Sequence, residues 1–345
     1  MNLPLIFLAA CAVSAGGVAF GQAADHSTPR ENPPQATEPT VESSPDPWAA
    51  IATGKTVLKA SGGQTEATYH YRLVEPPPAA IADPGATVPL IVFLHGSGER
   101  GSDNRAQLKH FAGWSASAAM QDRQACYVLA MQCPQDETWA PIDLKGMREG
   151  DGTPKFATEP TRVMRAVMQA MDEVLTSKAV DRTRVYLTGL SMGGFGAFDL
   201  AARKPELFAA VVPICGGGDP ATAATLARMP VCIVHGSDDP VVPVRLSRVM
   251  REAIAGAASE QAARERDRLA VDGEVLPMPK RAPNPEYREY EKTGHDAWTR
   301  AYGWGEGGVL GWMFAQRKAS KDRQARLDWT RDHEDASKDR QATAS

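Results

Sequence analysis

Val185-Tyr186-Leu187-Thr188-Gly189-Leu190-Ser191-Met192-Gly193-Gly194-Phe195-Gly196-Ala197-Phe198-Asp199-Leu200 is the stretch on which the fold turns. Its first four residues form a β-favouring run of the kind found in strands covered on both faces. From Phe195 to Ala202, small and apolar residues read as a helix. The change from strand to helix falls on a serine with glycine two residues away on either side. Glycine tolerates the strained backbone that so sharp a turn needs, and the turn lifts the hydroxyl clear of the sheet edge. Ser191 is therefore the first candidate for a covalent nucleophile.

Outward from this turn, strand-like and helix-like segments alternate, as a doubly wound sheet requires. The strand candidates are Ala67 to Val74, Leu90 to Leu94, Cys126 to Met131, Val185 to Thr188, Ala210 to Ile214, Val231 to Val234 and Tyr287 to Tyr290. The central ones are continuous Val/Ile/Leu runs suited to parallel strands. Thr161 to Ser177 is the clearest helix, with Val163, Met164, Val167, Met168, Met171, Val174 and Leu175 recurring at helical spacing as a core-facing stripe. Ser247 to Glu265 and Gly308 to Gln316 are further helices, and Val271 to Pro285 reads as a long loop before the last strand. The expected class is α/β, a mostly parallel doubly wound sheet flanked by helices. The stretch from Cys215 to Pro230 is too short to hold a large cap domain.

A serine hydroxyl is a weak nucleophile at neutral pH and needs an imidazole base, itself oriented by a carboxylate. In this architecture both partners follow the serine, acid first, each on a loop after a strand. The strand Val231 to Val234 runs into His235-Gly236-Ser237-Asp238-Asp239-Pro240, where Asp239 is the favoured acid and Asp238 the alternative. Thr293-Gly294-His295-Asp296 follows the last strand candidate and offers His295 as the base. Of the other histidines, His26 and His333 lie near the chain ends, His70 and His110 precede the turn, and His95 and His235 sit at strand ends, where imidazoles commonly satisfy backbone groups.

An oxyanion needs preorganised donors, commonly the N–H after the nucleophile and one from the loop after an early strand. Met192 supplies the first. The loop His95-Gly96-Ser97-Gly98-Glu99-Arg100 supplies the second, Ser97 ahead of Gly98, while Gly96 and Gly98 allow a substrate close to the backbone. A phosphate-binding loop is the rival reading of these glycines, but the Lys-Ser/Thr ending is missing. Trp139 and Trp298, with Trp114, Tyr302 and Trp304, are candidate apolar walls of the cleft, each equally able to serve as core.

The 345 residues carry a formal charge of -4, with no Lys/Arg cluster interleaved with aromatics, so nucleic acid is not an expected partner. The apolar stretch from Leu3 to Phe20, followed by Gly21-Gln22-Ala23, reads as an export signal over residues 1–23. Lipidation at Cys11, after Leu8-Ala9-Ala10, is the alternative. Residues 24–50 lack the apolar content to fold and read as a linker, and the charged segment 318–345, in which Ser-Lys-Asp-Arg-Gln-Ala occurs twice, reads as a disordered or helical tail. Residues 51–317 are then the catalytic domain. Cys126, Cys133, Cys215 and Cys232 remain after cleavage, and free thiols are preferred to disulfides, since three of the four lie in apolar runs. No spacing suggests zinc, and no metal or organic cofactor is implied.

Taken in order, Leu94-His95-Gly96-Ser97-Gly98-Glu99-Arg100-Gly101, Gly189-Leu190-Ser191-Met192-Gly193-Gly194, Pro213-Ile214-Cys215-Gly216-Gly217-Gly218-Asp219, His235-Gly236-Ser237-Asp238-Asp239-Pro240-Val241-Val242-Pro243 and Gly294-His295-Asp296-Ala297-Trp298 resemble the motifs of the α/β-hydrolase superfamily. Within it the chain resembles the secreted phospholipase/carboxylesterase-like group, which includes feruloyl-esterase-like proteins and predicted peptidases of the prolyl oligopeptidase type. The resemblance covers about residues 55–317 and implies Ser191 as nucleophile, Asp239 as acid, His295 as base, and Met192 and Ser97 as oxyanion donors. The long segment before the last strand departs from the group's pattern and bears on substrate preference. The expectation is a secreted serine hydrolase that cleaves small-molecule or polymer-linked carboxylic esters. A serine peptidase or aminoacyl hydrolase, and an inactive binding module on the same fold, are the alternatives.

Overall fold

The computed structural model describes residues 48–59, 63–142, 152–271, 274–275 and 284–318. Chain contacts divide it into Met1–Ala49 and Ala50–Ser345, and every element below belongs to the second unit. The expected signal segment, Cys11, nearly all of the linker and all but the first residue of the charged tail lie outside the described residues.

The strands are β1 (Ala52–Lys59), β2 (Thr65–Val74), β3 (Val88–Leu94), β4 (Tyr127–Met131), β5 (Val180–Leu190), β6 (Ala210–Ile214), β7 (Cys232–Gly236), β8 (Ala270–Val271), β9 (Glu274–Val275) and β10 (Glu286–Tyr290). Eight of them form one sheet in the order β1-β2-β4-β3-β5-β6-β7-β10, while β8 and β9 pair separately. From β4 to β10 every neighbour is parallel, and only the β1–β2 and β2–β4 ladders are antiparallel. The helices are α1 (Phe111–Trp114), α2 (Ala118–Gln121), α3 (Arg162–Ser177), α4 (Met192–Arg203), α5 (Ala223–Leu226), α6 (Arg245–Leu269), α7 (Trp298–Ala301) and α8 (Leu310–Ala315). This is the doubly wound α/β-hydrolase arrangement, and between β6 and β7 the chain holds only α5 and a short 3₁₀ turn. No described helix is long and apolar enough to cross a membrane.

Every residue of β3 and β4 is buried, as strands covered on both faces must be. Along β3, Leu90, Val92 and Leu94 join the core cluster shared with α3 and α4, whereas Phe93 meets Phe111 and Tyr302 on the other face. The apolar stripe of α3 is buried at Val163, Met164, Val167, Met171, Val174 and Leu175. Full burial of such a side chain contributes about 1.5–3 kcal/mol. Thr161 caps this helix by accepting from the Met164 N–H at 3.1 Å.

Strand β1 is the strand of the eight-stranded sheet that the sequence reading lacks, and β8 and β9 pair where it has only a loop. The residues of β1 alternate between buried or half-buried and exposed, so no continuous apolar run announces it; it is fixed by its antiparallel ladder with β2. Strand β5 begins five residues before the expected Val185 because Val180 pairs with Val88 of β3.

Candidate active site

The junction of β5 and α4 carries the strain that its sequence foretells. Ser191 has φ 53° and ψ -119°, a left-handed conformation that costs a non-glycine residue about 1–3 kcal/mol. Packing leaves no room on either side of it. A Cβ on Gly193 would lie 1.9 Å from the Leu94 carbonyl oxygen, and one on Gly189 would lie 2.3 Å from the Gly193 carbonyl oxygen. The Ser191 N–H donates to the Ile214 carbonyl at 2.9 Å, which ties the turn to β6. Met192 opens α4, so its N–H has no acceptor within the helix, and the positive end of the helix dipole faces the serine.

His295 reaches this hydroxyl from the loop after β10. Its Nε2 lies 2.9 Å from Ser191 Oγ and its Nδ1 lies 2.7 Å from Asp239 Oδ2. Asp239, on the loop after β7, accepts at Oδ1 from the Val241 and Val242 N–H groups at 2.8 and 2.9 Å. Its Oδ2 also faces His235 Nε2 at 3.2 Å. Burial alone would raise this carboxyl's pKa, but the hydrogen bonds from His235, His295, Val242 and Val241 outweigh it and hold the group well below the usual carboxylate range. Among the described residues the Asp238 carboxylate accepts from Ser237 Oγ alone, at 2.7 Å on the exposed side. Ser191, His295 and Asp239 thus form one hydrogen-bonded chain that Asp238 does not join.

The glycine-rich loop leaves β3 beside this chain, because Leu94 pairs with Gly189. Ser97 opens a 3₁₀ turn, Ser97–Glu99, which leaves its N–H without an acceptor inside that turn. A Cβ on Gly96 would stand 3.6 Å from Ser191 Cβ and 2.8 Å from Leu190 Cδ1, so this position faces the serine and excludes a side chain, while Gly98 borders open space. His95 anchors the loop from below. Its Nε2 accepts from the Cys133 N–H at 2.9 Å and its Nδ1 donates to the Gly96 carbonyl at 2.6 Å; burial pushes its pKa down to about 4, which keeps the ring neutral.

Trp139 does not line a cleft, contrary to expectation. It is 0% exposed, packs edge-on against His95 at 5.1 Å, and its indole N–H donates to the His95 carbonyl at 2.9 Å. The indole N–H needs an acceptor wherever the ring is buried, and the glycine-rich loop provides one. Trp298 lies edge-on to His295 at 5.1 Å between ring centroids. Tyr302 is half-buried, stacked on Phe111 and bonded to Thr188 Oγ1, Trp304 stacks on Phe314, and Trp114 packs on Phe111.

Against known proteins, the family model described as Dienelactone hydrolase family matches residues 149–262. NocK of Nocardia uniformis subsp. tsuyamanensis, an inferred esterase, is 30% identical over 196 residues, covering 56% of this chain and 50% of its own. Poly(3-hydroxyalkanoate) depolymerase C of Paucimonas lemoignei is 30% identical over 140 residues, 38% of this chain and 28% of that protein. The crystal structure of a thermostable esterase superposes with a TM-score of 0.60 at 31% identity, over 77% of this chain and 63% of its own. The chain therefore spans half or less of these two curated relatives. The chain has the α/β-hydrolase fold, shared with that thermostable esterase.

Within this fold, two residues around the candidate site escape sequence reading. His235 looks like a backbone partner at a strand end, and its Nε2 does lie 2.9 Å from the Val242 carbonyl. Its Nδ1 lies 2.7 Å from Ser247 Oγ, and the ring buttresses Asp239 from the interior. Nothing local signals this, because Ser247 belongs to α6 and Asp239 to the loop before it. Cys215 looks like a small buried hydrophobe. It follows β6 at φ 48°, and its Sγ donates to the His295 carbonyl at 3.3 Å. Its positive φ has no sequence signal beyond the glycines after it. Cys215, Asp239 and His295 are also the described residues whose donor atoms lie close enough together to hold a metal ion. All four described cysteines are free and buried.

Proposed function

We propose that this protein is an exported serine hydrolase of carboxylic esters. The carrying observation is the continuous chain from Ser191 Oγ through both His295 nitrogens to Asp239, with the hydroxyl held on a strained turn. His295 Nε2 takes the Ser191 proton as Oγ attacks the ester carbonyl. The carbonyl oxygen becomes an oxyanion that receives the N–H groups of Met192 and Ser97. Collapse expels the alkoxide, which takes the proton from His295 and leaves as the alcohol. Water, deprotonated by the same nitrogen, then releases the acid and restores the serine. Asp239 keeps Nδ1 protonated and stabilises the imidazolium.

NocK and the thermostable esterase support esters as the substrate class. With only α5 and a short turn between β6 and β7, the site is suited to bulky or polymer-linked esters. A fluorophosphonate probe tests the chemistry: labelling is expected on the wild-type chain and lost in Ser191→Ala, and an unlabelled wild type overturns the proposal in favour of a binding module. Faster turnover of peptide amides than of aryl esters would replace the esterase reading with a peptidase. Export is tested by sequencing the N-terminus of the mature protein, where a start at Ala24 supports signal cleavage and an acylated Cys11 supports a lipoprotein.

A further inference from the structure

Cys215 is a buried thiol set among the reacting groups, yet acyl transfer gives it no chemical step. Its sulfur lies beneath the loop that carries His295, and the donor atoms of Cys215, Asp239 and His295 all fall within 4.8 Å of one another. A thiolate, an imidazole and a carboxylate are the donors that zinc takes, and three protein ligands with one open position is a recurrent arrangement for that ion. Metal–ligand lengths of about 2.0–2.3 Å in a tetrahedron put ligand atoms about 3.3–3.8 Å apart, so the cluster needs to contract by only about 1.5 Å or less. The His295 side chain, 20% exposed where that of Asp239 is 0% exposed, is the ligand with room to supply that movement. Burial pushes the Cys215 thiol up to about 12, so it keeps its proton until the ion displaces it.

The geometry points to an inhibitory site for a thiophilic divalent cation, Zn2+ or Cd2+, made by Cys215, Asp239 and His295. The ion bonds Sγ, one Asp239 oxygen and one His295 nitrogen, and the thiol proton leaves to solvent. An imidazole committed to the ion cannot serve Ser191, so the bound form is inactive. Mg2+ and Ca2+, which prefer oxygen ligands, do not substitute. The binding stands on the cluster alone; the inhibition rests on the acyl-transfer reading above.

Two measurements separate these. The full chain carrying Ser191→Ala, titrated with Cd2+, is expected to bind one ion with the ultraviolet sulfur-to-cadmium charge-transfer band, and adding Cys215→Ser should remove the band and weaken binding at least about 100-fold. In the otherwise wild-type chain, Zn2+ should inhibit ester turnover reversibly to EDTA. Measured against its own zinc-free rate, Cys215→Ser should need at least about 100-fold more Zn2+ for the same fractional inhibition. Cd2+ binding without the sulfur band, or equal Zn2+ sensitivity of wild type and Cys215→Ser, overturns the site. If Cys215→Ser does not fold, Cys215→Ala takes its place in both measurements. If no ester is turned over, the catalytic reading fails while the Cd2+ titration still reports on the metal site.

Discussion

Asp181 and Asp239 stand at opposite ends of the parallel sheet and meet their surroundings almost identically. Asp181, at the start of β5, accepts from the Thr183 N–H and Oγ1, from Arg184 Nε at 2.7 Å and from Arg317 Nη1 at 3.0 Å. Asp239, past the end of β7, accepts from two backbone N–H groups and faces two imidazoles. Both carboxyls are held below the ordinary carboxylate range. What differs is the partner. Guanidinium charge is permanent, so the Asp181 cluster can only clamp the chain after α8 onto β5. An imidazole gains and loses a proton near neutral pH, so the same acceptor chemistry at Asp239 can assist a reaction. The role of a buried carboxylate is set by the partner the fold brings to it.

The largest effect that can break this comparison comes from the hydroxyl end of the chain. Ser191→Ala or His295→Ala should lower kcat by about 10⁶-fold while leaving the melting temperature nearly unchanged, because neither side chain carries core packing. Activity measured beside thermal unfolding decides, and a variant that unfolds instead would make the site structural. Next in size is Asp239→Asn, which should cost about 10⁴-fold in kcat by favouring the wrong imidazole tautomer. Asp238→Asn should be nearly silent, since among the described residues that carboxylate accepts from Ser237 alone. The reverse pattern would reassign the acid.

The two imidazoles on Asp239 give a third, intermediate test. His295 is partly exposed, whereas His235 is fully buried and also meets Ser247 and Val242. Removing it leaves buried polar groups unpaired, at about 1–3 kcal/mol each. His235→Ala should therefore lose about 2–4 kcal/mol of stability in denaturant unfolding, with a smaller loss of kcat than His295→Ala. Equal stability of the two variants would show that His235 is no buttress.

The central strands and the order serine, acid, base were legible because each is a local pattern: an apolar run, a glycine pair around Ser191, an Asp or His just past a strand. What separates Asp239 from Asp238 is the turn after it, whose Val241 and Val242 N–H groups both donate to Asp239. What stayed hidden is relational. Trp139 reads as well for a wall as for a brace until the His95 carbonyl is seen to take its N–H. His235 depends on a turn that folds Asp239 and Ser247 back onto it, Cys215 on the loop that carries His295, and β1 on its ladder with β2.

The smallest effect lies at the other end of the comparison. Burial works to raise the Asp181 carboxyl, but hydrogen bonds from Thr183 and Arg184 prevail and bring its pKa down to about 2. A carboxyl whose folded pKa lies below its unfolded value stabilises the fold fully above about pH 4, and that contribution fades as pH falls toward 2. Asp181→Asn should therefore melt a few degrees lower at pH 7, with the difference from wild type shrinking between about pH 4 and pH 2. Its kcat at neutral pH should match wild type, because no atom of the cluster touches the Ser191 chain. Parallel melting curves of the two chains across that acid range would show that Asp181 is no clamp, and a fall in kcat would show that the two ends of the sheet are coupled.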